Sequence, residues 1–217
     1  MTIDDKANLH GLYAITDSLL RPSENLQNQV REALLGGARI IQYRDKKRDP
    51  QQRLSDATAL QQLCREYNAL LIINDDVKLA KQSGADGVHL GRDDPSMAIA
   101  REALGEKAII GISCYNRLEL ARQAAASGAD YIAFGRFFAS TIKPEAVQAE
   151  PELLTDAKNE LDLPLVAIGG ITPENGAPLI AAGADMLAVV HGIFGQPDIQ
   201  AASRRLCRLF EPEEKII

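Results

Sequence analysis

Cysteine is scarce in this 217-residue chain, with three in all. Cys64, Cys114 and Cys207 are odd in number and far apart, which excludes a disulfide framework and a metal knuckle and leaves reduced, mostly structural thiols. No base partner for Cys114 is evident, and no Ser or Cys stands at a spacing that would make His191 the base of a triad. Long apolar runs are missing too. None approaches the roughly 18 residues that span a bilayer, and the opening MTIDDKANLH has neither the basic start nor the apolar stretch of a secretory signal. A cytoplasmic protein is expected. Positive charge is in deficit: 24 Lys and Arg against 30 Asp and Glu give a net −6, which speaks against nucleic acid or a membrane surface as partner. Small anionic substrates stay open, because a few local cations suffice, and Arg44, Lys46 and Lys143 are candidates. A homo-oligomer is compatible with all of this.

What is present is a globular composition, 46% hydrophobic and 25% charged, at a length suited to a single domain over 1–217. Four related stretches recur: Gly37-Ala-Arg-Ile-Ile-Gln-Tyr-Arg, Gly84-Ala-Asp-Gly-Val-His-Leu-Gly, Gly128-Ala-Asp-Tyr-Ile-Ala-Phe-Gly and Gly183-Ala-Asp-Met-Leu-Ala-Val-Val. Each follows an Ala-rich helical stretch, and the spacing of roughly 45 to 55 residues equals two βα units, so the motif marks every second strand. Strands are expected near 11–16, 38–43, 70–74, 86–90, 108–113, 130–135, 164–168 and 185–190. Helices are expected near 24–36, 51–67, 76–83, 95–104, 116–127, 150–160, 173–182 and 197–209. Eight alternating units predict an α/β fold, a closed (β/α)8 TIM barrel, whose site lies at the carboxyl ends of the strands. A doubly wound open sheet competes less well, since no Gly-rich dinucleotide fingerprint follows any strand.

Two strand-like runs end in acidic residues, Leu71-Ile-Ile before Asn74-Asp75-Asp76 and Gly87 to Leu90 before Gly91-Arg92-Asp93-Asp94. Adjacent parallel strands place such ends on one rim, so Asp75 and Asp94 could share a hard cation such as Mg²⁺. Helix capping is the plainer role for any one of these aspartates. Along the second strand, alternation puts Gln42, Arg44 and Lys46 on one face at the mouth, where an amide and two cations suit a phosphate or pyrophosphate. Ser113, closing the fifth strand, could donate to a ligand or start a helix. After the sixth strand a long connection from Arg136 to Ala149 carries Ser140, Thr141 and Lys143 and reads as a lid or binding loop. After the seventh, Gly169-Gly170 would let a ligand approach the backbone, with Thr172 capping a helix and Pro173 in its first turn. Together with Val190-His191 after the eighth strand, this is the recurrent phosphate site of such barrels. His10 reads as solvated and His89 as a hydrogen-bonded core residue.

With these stretches in place, the chain resembles the thiamine phosphate synthase family. The matches are Gln42-Tyr43-Arg44-Asp45-Lys46, Asn74-Asp75-Asp76, His89-Leu-Gly-Arg-Asp-Asp94, Gly111-Ile-Ser113, Gly135 through Lys143-Pro144, and Ile168-Gly-Gly-Ile-Thr172. The resemblance implies a (β/α)8 transferase that joins hydroxymethylpyrimidine diphosphate to thiazole phosphate and releases pyrophosphate by a dissociative route. It implies that Arg44, Lys46, Asn74 and Lys143 hold the diphosphate, that Asp75 and Asp94 place Mg²⁺ on it, and that Gln42 and Ser113 orient the pyrimidine, with Tyr43 and Asp45 in the same binding stretch. Ser140, Thr141, Ile142, Gly170, Val190 and His191 would hold the thiazole phosphate. Three positions depart from the family pattern: Ile142 where many relatives have Thr, Arg92-Asp93 in place of Gln-Glu, and His191 where Ser is common. A thiazole tautomerase of the same superfamily is the nearest rival, but its His after the fifth strand is replaced here by Cys114-Tyr115. A non-catalytic phosphate-ligand sensor is the rival from another class.

Overall fold

The computed structural model describes residues 9–17, 20, 25–139 and 147–211. Eight parallel strands close into a barrel in chain order: β1 (Gly11–Ile15), β2 (Ile40–Tyr43), β3 (Leu70–Asn74), β4 (Gly87–Leu90), β5 (Ile109–Tyr115), β6 (Tyr131–Gly135), β7 (Leu165–Ile168) and β8 (Met186–Val189), with β8 pairing back onto β1. The expected barrel is the observed one. Helices alternate with the strands: α1 (Leu26–Leu35), α2 (Pro50–Glu66), α3 (Val77–Ser83), α4 (Met97–Leu104), α5 (Leu118–Ala126), α6 (Glu152–Glu160), α7 (Ala177–Ala181), α8 (His191–Phe194) and α9 (Ile199–Cys207). No helix among the described residues is long and apolar enough to cross a membrane.

Strand alternation sorts the apolar residues into two layers. Tyr13, Ile40, Ile72, Ile109, Tyr131, Val166 and Met186 fill the barrel interior. Their neighbours in sequence, among them Ile41, Leu71, Ile110, Ile132 and Leu187, face the helices and meet residues such as Leu60 and Leu63 of α2. Each such side chain, buried fully, stabilises the fold by about 1.5–3 kcal/mol.

The recurring Gly-Ala-Asp motif has a structural cause at the amino-terminal end of the barrel. Asp86 Oδ2 accepts the Leu71 N–H at 2.7 Å, Asp130 Oδ2 accepts that of Ile110 at 2.8 Å, and Asp185 Oδ2 accepts that of Leu165 at 2.8 Å. Each aspartate thus pins the start of the preceding strand. Each also anchors the helix that runs between that strand's unit and its neighbour: Gln61 of α2 donates to Asp86, Arg101 of α4 to Asp130 and Lys158 of α6 to Asp185. In the first copy Arg39 holds the slot, with backbone bonds to Leu12 and from Leu70.

The far half of the barrel departs from expectation at the seventh unit. Thr172 does not cap α7. Its own N–H is taken by Asn175 Oδ1 at 2.8 Å, Asn175 Nδ2 donates to the Gly170 carbonyl, and this closed turn delays the helix until Ala177. A short helix, α8, follows β8 directly where a loop was expected.

Candidate active site

Four strand ends converge at the carboxyl-terminal rim. Asp75 follows β3 in the left-handed region, φ 64°, a conformation Asp tolerates better than most residues but one that marks functional turns. Its N–H donates to the His89 carbonyl at 2.9 Å, which ties the turn to β4. The plainer role predicted for these aspartates falls to Asp76, which caps α3 through the Leu79 N–H at 2.9 Å and pairs with Arg53 at 3.1 Å. Asp75 is thereby free of that duty and turns toward Asp94, within hydrogen-bonding reach. Asp94 is fixed by the Gly91 N–H at 2.6 Å, while α4 takes its cap from Ser96.

The two carboxyl groups titrate in opposite directions. Burial pushes Asp75 up, but hydrogen bonds from Lys46 and Asp94, with the charge of Lys46, outweigh it and hold the group below its ordinary value. Asp94 is raised by burial, the Gly91 N–H opposes this, and the neighbouring Asp75 adds to the rise. Asp75 therefore ionises first and Asp94 retains its proton longer, the behaviour of two like charges at one point. Lys46 Nζ stands 3.0 Å from Asp75 Oδ2.

An open groove of about 700 Å³ begins at this point. Asp45, Lys46, Asn74, Asp75 and Asp76 line it, together with Arg53, Lys78 and Lys81. Two carboxylates and a ring of cations are oxygen donors and anion acceptors in one place. Among the described residues no group of three or more His, Cys, Asp or Glu could hold a metal, and the carboxylates brought together here are two, Asp75 and Asp94. That matches the habit of Mg²⁺, which keeps waters and phosphate oxygens in its remaining positions.

The other expected residues divide. Gln42 points into the barrel and its Nε2 donates to the Tyr13 hydroxyl at 2.8 Å. Ser113 lies on the same interior face, bonded to His89 at 2.8 Å, where a register shift between Ser113 and Tyr115 opens the end of β5. Arg44 is on the rim but pairs with Asp17 after β1 at 3.7 Å rather than with Asp75, because the strand ends at Tyr43 and alternation stops there. Tyr43 faces the helices: its side chain is buried in the outer layer and its hydroxyl donates to Asp56 of α2 at 3.2 Å. Asp45 turns back into its own loop, accepting the N–H groups of Lys47 and Arg48. The Tyr43 side chain therefore does not reach the mouth, whereas Asp45 is among the residues lining the groove beside Lys46.

The double glycine also has a close neighbour within the chain that the sequence did not indicate. A methyl group on Gly170 would overlap the Ala139 carbonyl and Phe138, and Phe138 N–H donates to the Gly169 carbonyl at 3.0 Å. The close approach that needs glycine is made by the chain's own β6–α6 connection. That connection is pinched at its base by Arg136 N–H to the Val147 carbonyl at 3.3 Å and Ala149 N–H to the Arg136 carbonyl at 2.7 Å. Ser140, Thr141, Ile142 and Lys143 lie outside the described residues. Val190 packs on the interior cluster and His191 is exposed at the start of α8.

Sequence reasoning passed over Tyr13 and Tyr131 and treated His89 as core. All three stand in the polar thread that joins Gln42 to Ser113. It also passed over Arg136, beside Gly169, whose Nε is buried with no hydrogen-bond partner among the described residues. Only an inward-facing tyrosine in a strand could have signalled the first group, and such residues are ordinary core aromatics by pattern alone.

A closed barrel with an acid pair, flanking cations and a polar interior thread at its carboxyl-terminal rim is an enzyme scaffold built to hold phosphorylated small molecules. Comparison with known proteins narrows the class. A family profile described as thiamine monophosphate synthase matches residues 12–193. The chain is 54% identical over 197 residues to the thiamine-phosphate synthase of Nitrosococcus oceani, covering 91% of each chain. It is 51% identical over 203 residues to that of Thioalkalivibrio sulfidiphilus, covering 94% of this chain and 96% of the other. The solved thiamine phosphate pyrophosphorylase from Pyrococcus furiosus superposes with a TM-score of 0.85 at 36% identity, over 93% of this chain and 96% of that one. The chain belongs to the thiamine monophosphate synthase family.

Proposed function

We propose that this barrel is a thiamine-phosphate synthase, a transferase joining hydroxymethylpyrimidine diphosphate to thiazole phosphate with release of pyrophosphate. The observation that carries the reading is the juxtaposition of Asp75 with both Asp94 and Lys46, where Asp75 and Lys46 line an open groove. Asp75 and Asp94 would hold Mg²⁺, which when bound supplies charge neutralisation for the departing diphosphate. Lys46, Arg44, Asn74 and Lys143 are the diphosphate contacts, and Lys46 and Arg44 would exchange their present partners Asp75 and Asp17 for phosphate oxygens. Gln42 and Ser113 orient the pyrimidine. Ser140, Thr141, Ile142, Gly170, Val190 and His191 meet the thiazole phosphate, with backbone N–H groups serving where Ile142 lacks a hydroxyl.

The chemistry these groups support is dissociative. The carbon–oxygen bond to the diphosphate breaks, the electron pair leaves with pyrophosphate, and the thiazole nitrogen donates its pair to the resulting pyrimidinyl-methyl cation. No protein nucleophile is required, in keeping with three buried or half-buried thiols. The protein's part is to preposition two substrates and exclude competing water. Its partners on this reading are small phosphorylated molecules, and its place is the cytoplasm.

The test mixes both substrates with Mg²⁺ and measures pyrophosphate. Release that needs both substrates and stops with chelator is the expected result. Isomerisation of the thiazole phosphate alone would favour the tautomerase, and binding without turnover would favour a sensor.

A further inference from the structure

Five side chains form one continuous hydrogen-bond thread through the barrel interior. Gln42 Nε2 meets the Tyr13 hydroxyl at 2.8 Å, Tyr13 meets the Tyr131 hydroxyl at 2.8 Å, Tyr131 meets His89 Nδ1 at 3.0 Å, and His89 Nε2 meets Ser113 Oγ at 2.8 Å. The thread crosses from β2 through β1, β6 and β4 to β5. It joins the two residues assigned to the heterocycle.

Proton counting gives the thread a direction. Gln42 donates, so the Tyr13 oxygen accepts and its single proton passes on to Tyr131. Tyr131 then has His89 Nδ1 as the acceptor for its own proton. With the Gln42 amide in this orientation and a neutral ring, Nδ1 is the bare nitrogen, Nε2 carries the hydrogen, and it donates to Ser113 Oγ. The Ser113 oxygen has become an acceptor from inside the barrel, and its hydroxyl hydrogen is left for the half-buried rim. Run in the opposite sense with the Gln42 amide as it stands, the thread would leave the Tyr13 proton unplaced in a fully buried site, at a cost of about 1–3 kcal/mol. Burial raises both tyrosines well above their ordinary value and keeps the two hydroxyls protonated. His89 also stacks on Tyr131, ring centroids 5.6 Å apart at 17°, so the imidazole is held in plane as well as by its nitrogens.

We propose that Tyr13, Tyr131 and His89 are positioning residues that act as a one-way chain, fixing His89 as its Nε2–H tautomer and presenting the Ser113 hydroxyl to the mouth as a hydrogen-bond donor. The ligand class this selects is a heteroaromatic ring with an unprotonated ring nitrogen. In its ligand the inference rests on the proposed function, in which that ring is the pyrimidine. A single serine otherwise donates and accepts with equal ease. The chain removes the choice.

The experiment uses Tyr131→Phe, which keeps the ring and deletes the hydroxyl between Tyr13 and His89. Nitrogen-15 spectra of the three histidines, with His89 assigned by His10→Gln and His191→Gln chains, read the tautomer. Calorimetric titration with the pyrimidine diphosphate and Mg²⁺ reads the affinity. The wild type is expected to show a bare Nδ1 and protonated Nε2, and Tyr131→Phe to mix the tautomers and weaken pyrimidine diphosphate binding about tenfold, with thiazole phosphate affinity unchanged. A wild type protonated on Nδ1 would overturn the proposal, as would a variant in which either the tautomer or the pyrimidine affinity stays put. If Tyr131→Phe does not fold, Tyr13→Phe removes the preceding hydroxyl and carries the same two readouts. Neither readout needs turnover, so wild-type protein that releases no pyrophosphate sinks the proposed function separately.

Discussion

At the scale of single residues, Asp75 and Asp94 differ in what else holds them, and that difference makes Asp94 the sharper probe. Asp75 sits in a left-handed turn bonded to β4, so replacing it disturbs backbone as well as charge. Asp94→Asn keeps volume and the acceptor for the Gly91 N–H and removes only the charge. Mg²⁺-dependent turnover should fall on the order of 100-fold, with thiazole phosphate affinity unaltered in a binding titration. Normal turnover would remove Asp94 as a metal ligand. The cysteines give a second residue-level test, in pH. Burial pushes the Cys114 thiol up to about 12 and Cys207 up to about 11, and it raises Cys64 as well. A raised thiol is less ionised at every pH below its pKa, and the thiolate is what reacts. Against an ordinary thiol near 8.5, the Cys207 thiolate fraction at pH 8 is lower by on the order of 100-fold. Alkylation of the folded protein by iodoacetamide should be slow at pH 8 and keep climbing through pH 10, where an unperturbed thiol would have levelled off. A plateau near pH 9 would contradict the burial account. Cysteine scarcity predicted structural thiols from sequence alone, and these directions agree.

Elements divide the labour between the two ends of the barrel. Asp130 illustrates the stabilising end: it holds the Ile110 N–H at the start of β5 and the Arg101 guanidinium from α4, and it is nearly fully buried. Asp130→Ala leaves a buried N–H without its acceptor and a mostly buried guanidinium without its counter-charge, though Arg101 keeps backbone carbonyls such as that of Ala108, so urea denaturation should show a loss of about 3 kcal/mol. Substrate affinities should not change, because the site is at the opposite rim. A loss below about 0.5 kcal/mol, the size expected of a surface change, would refute the pinning role. The Gly-Ala-Asp copies were legible in sequence because the same joint repeats every two units, and apolar periodicity then located all eight strands. The seventh unit was misread for a physical reason. Thr172-Pro173 has the composition of a helix start, yet Asn175 captures the Thr172 N–H and the Gly170 carbonyl, and a side chain that competes for backbone in this way leaves no mark in hydrophobic pattern. Alternation likewise placed Gln42 inward but was carried to Lys46, three residues past the end of β2, which is why Arg44 emerges against Asp17.

For the whole molecule, the rim gathers groups from β2, β3, β4 and β5 that lie up to some 70 positions apart, and sequence order alone could propose but not bring together such a set. Its acidic pair predicts how ligands act on global stability. Asp94 is raised beside Asp75, so its contribution is favourable while protonated and is lost as pH rises through its folded pKa; above that, the two charges repel unless a cation joins them. Mg²⁺ and pyrophosphate should therefore bind as a unit at pH 8, each completing the other's coordination with Lys46 adding a contact. A ligand pair present at about 100 times its dissociation constant adds about 2.7 kcal/mol. For a chain of this length each kcal/mol moves the midpoint by about 2–4 °C, so differential scanning fluorimetry should give a rise of about 5–10 °C with both present. Either alone should give much less than half of that. In Asp94→Asn the excess over the two separate shifts should vanish, since one carboxylate cannot anchor the bridge. Strictly additive shifts in the wild type would mean that the cation and the diphosphate bind apart, and the acid pair would then be a structural contact rather than the place where leaving-group charge is met.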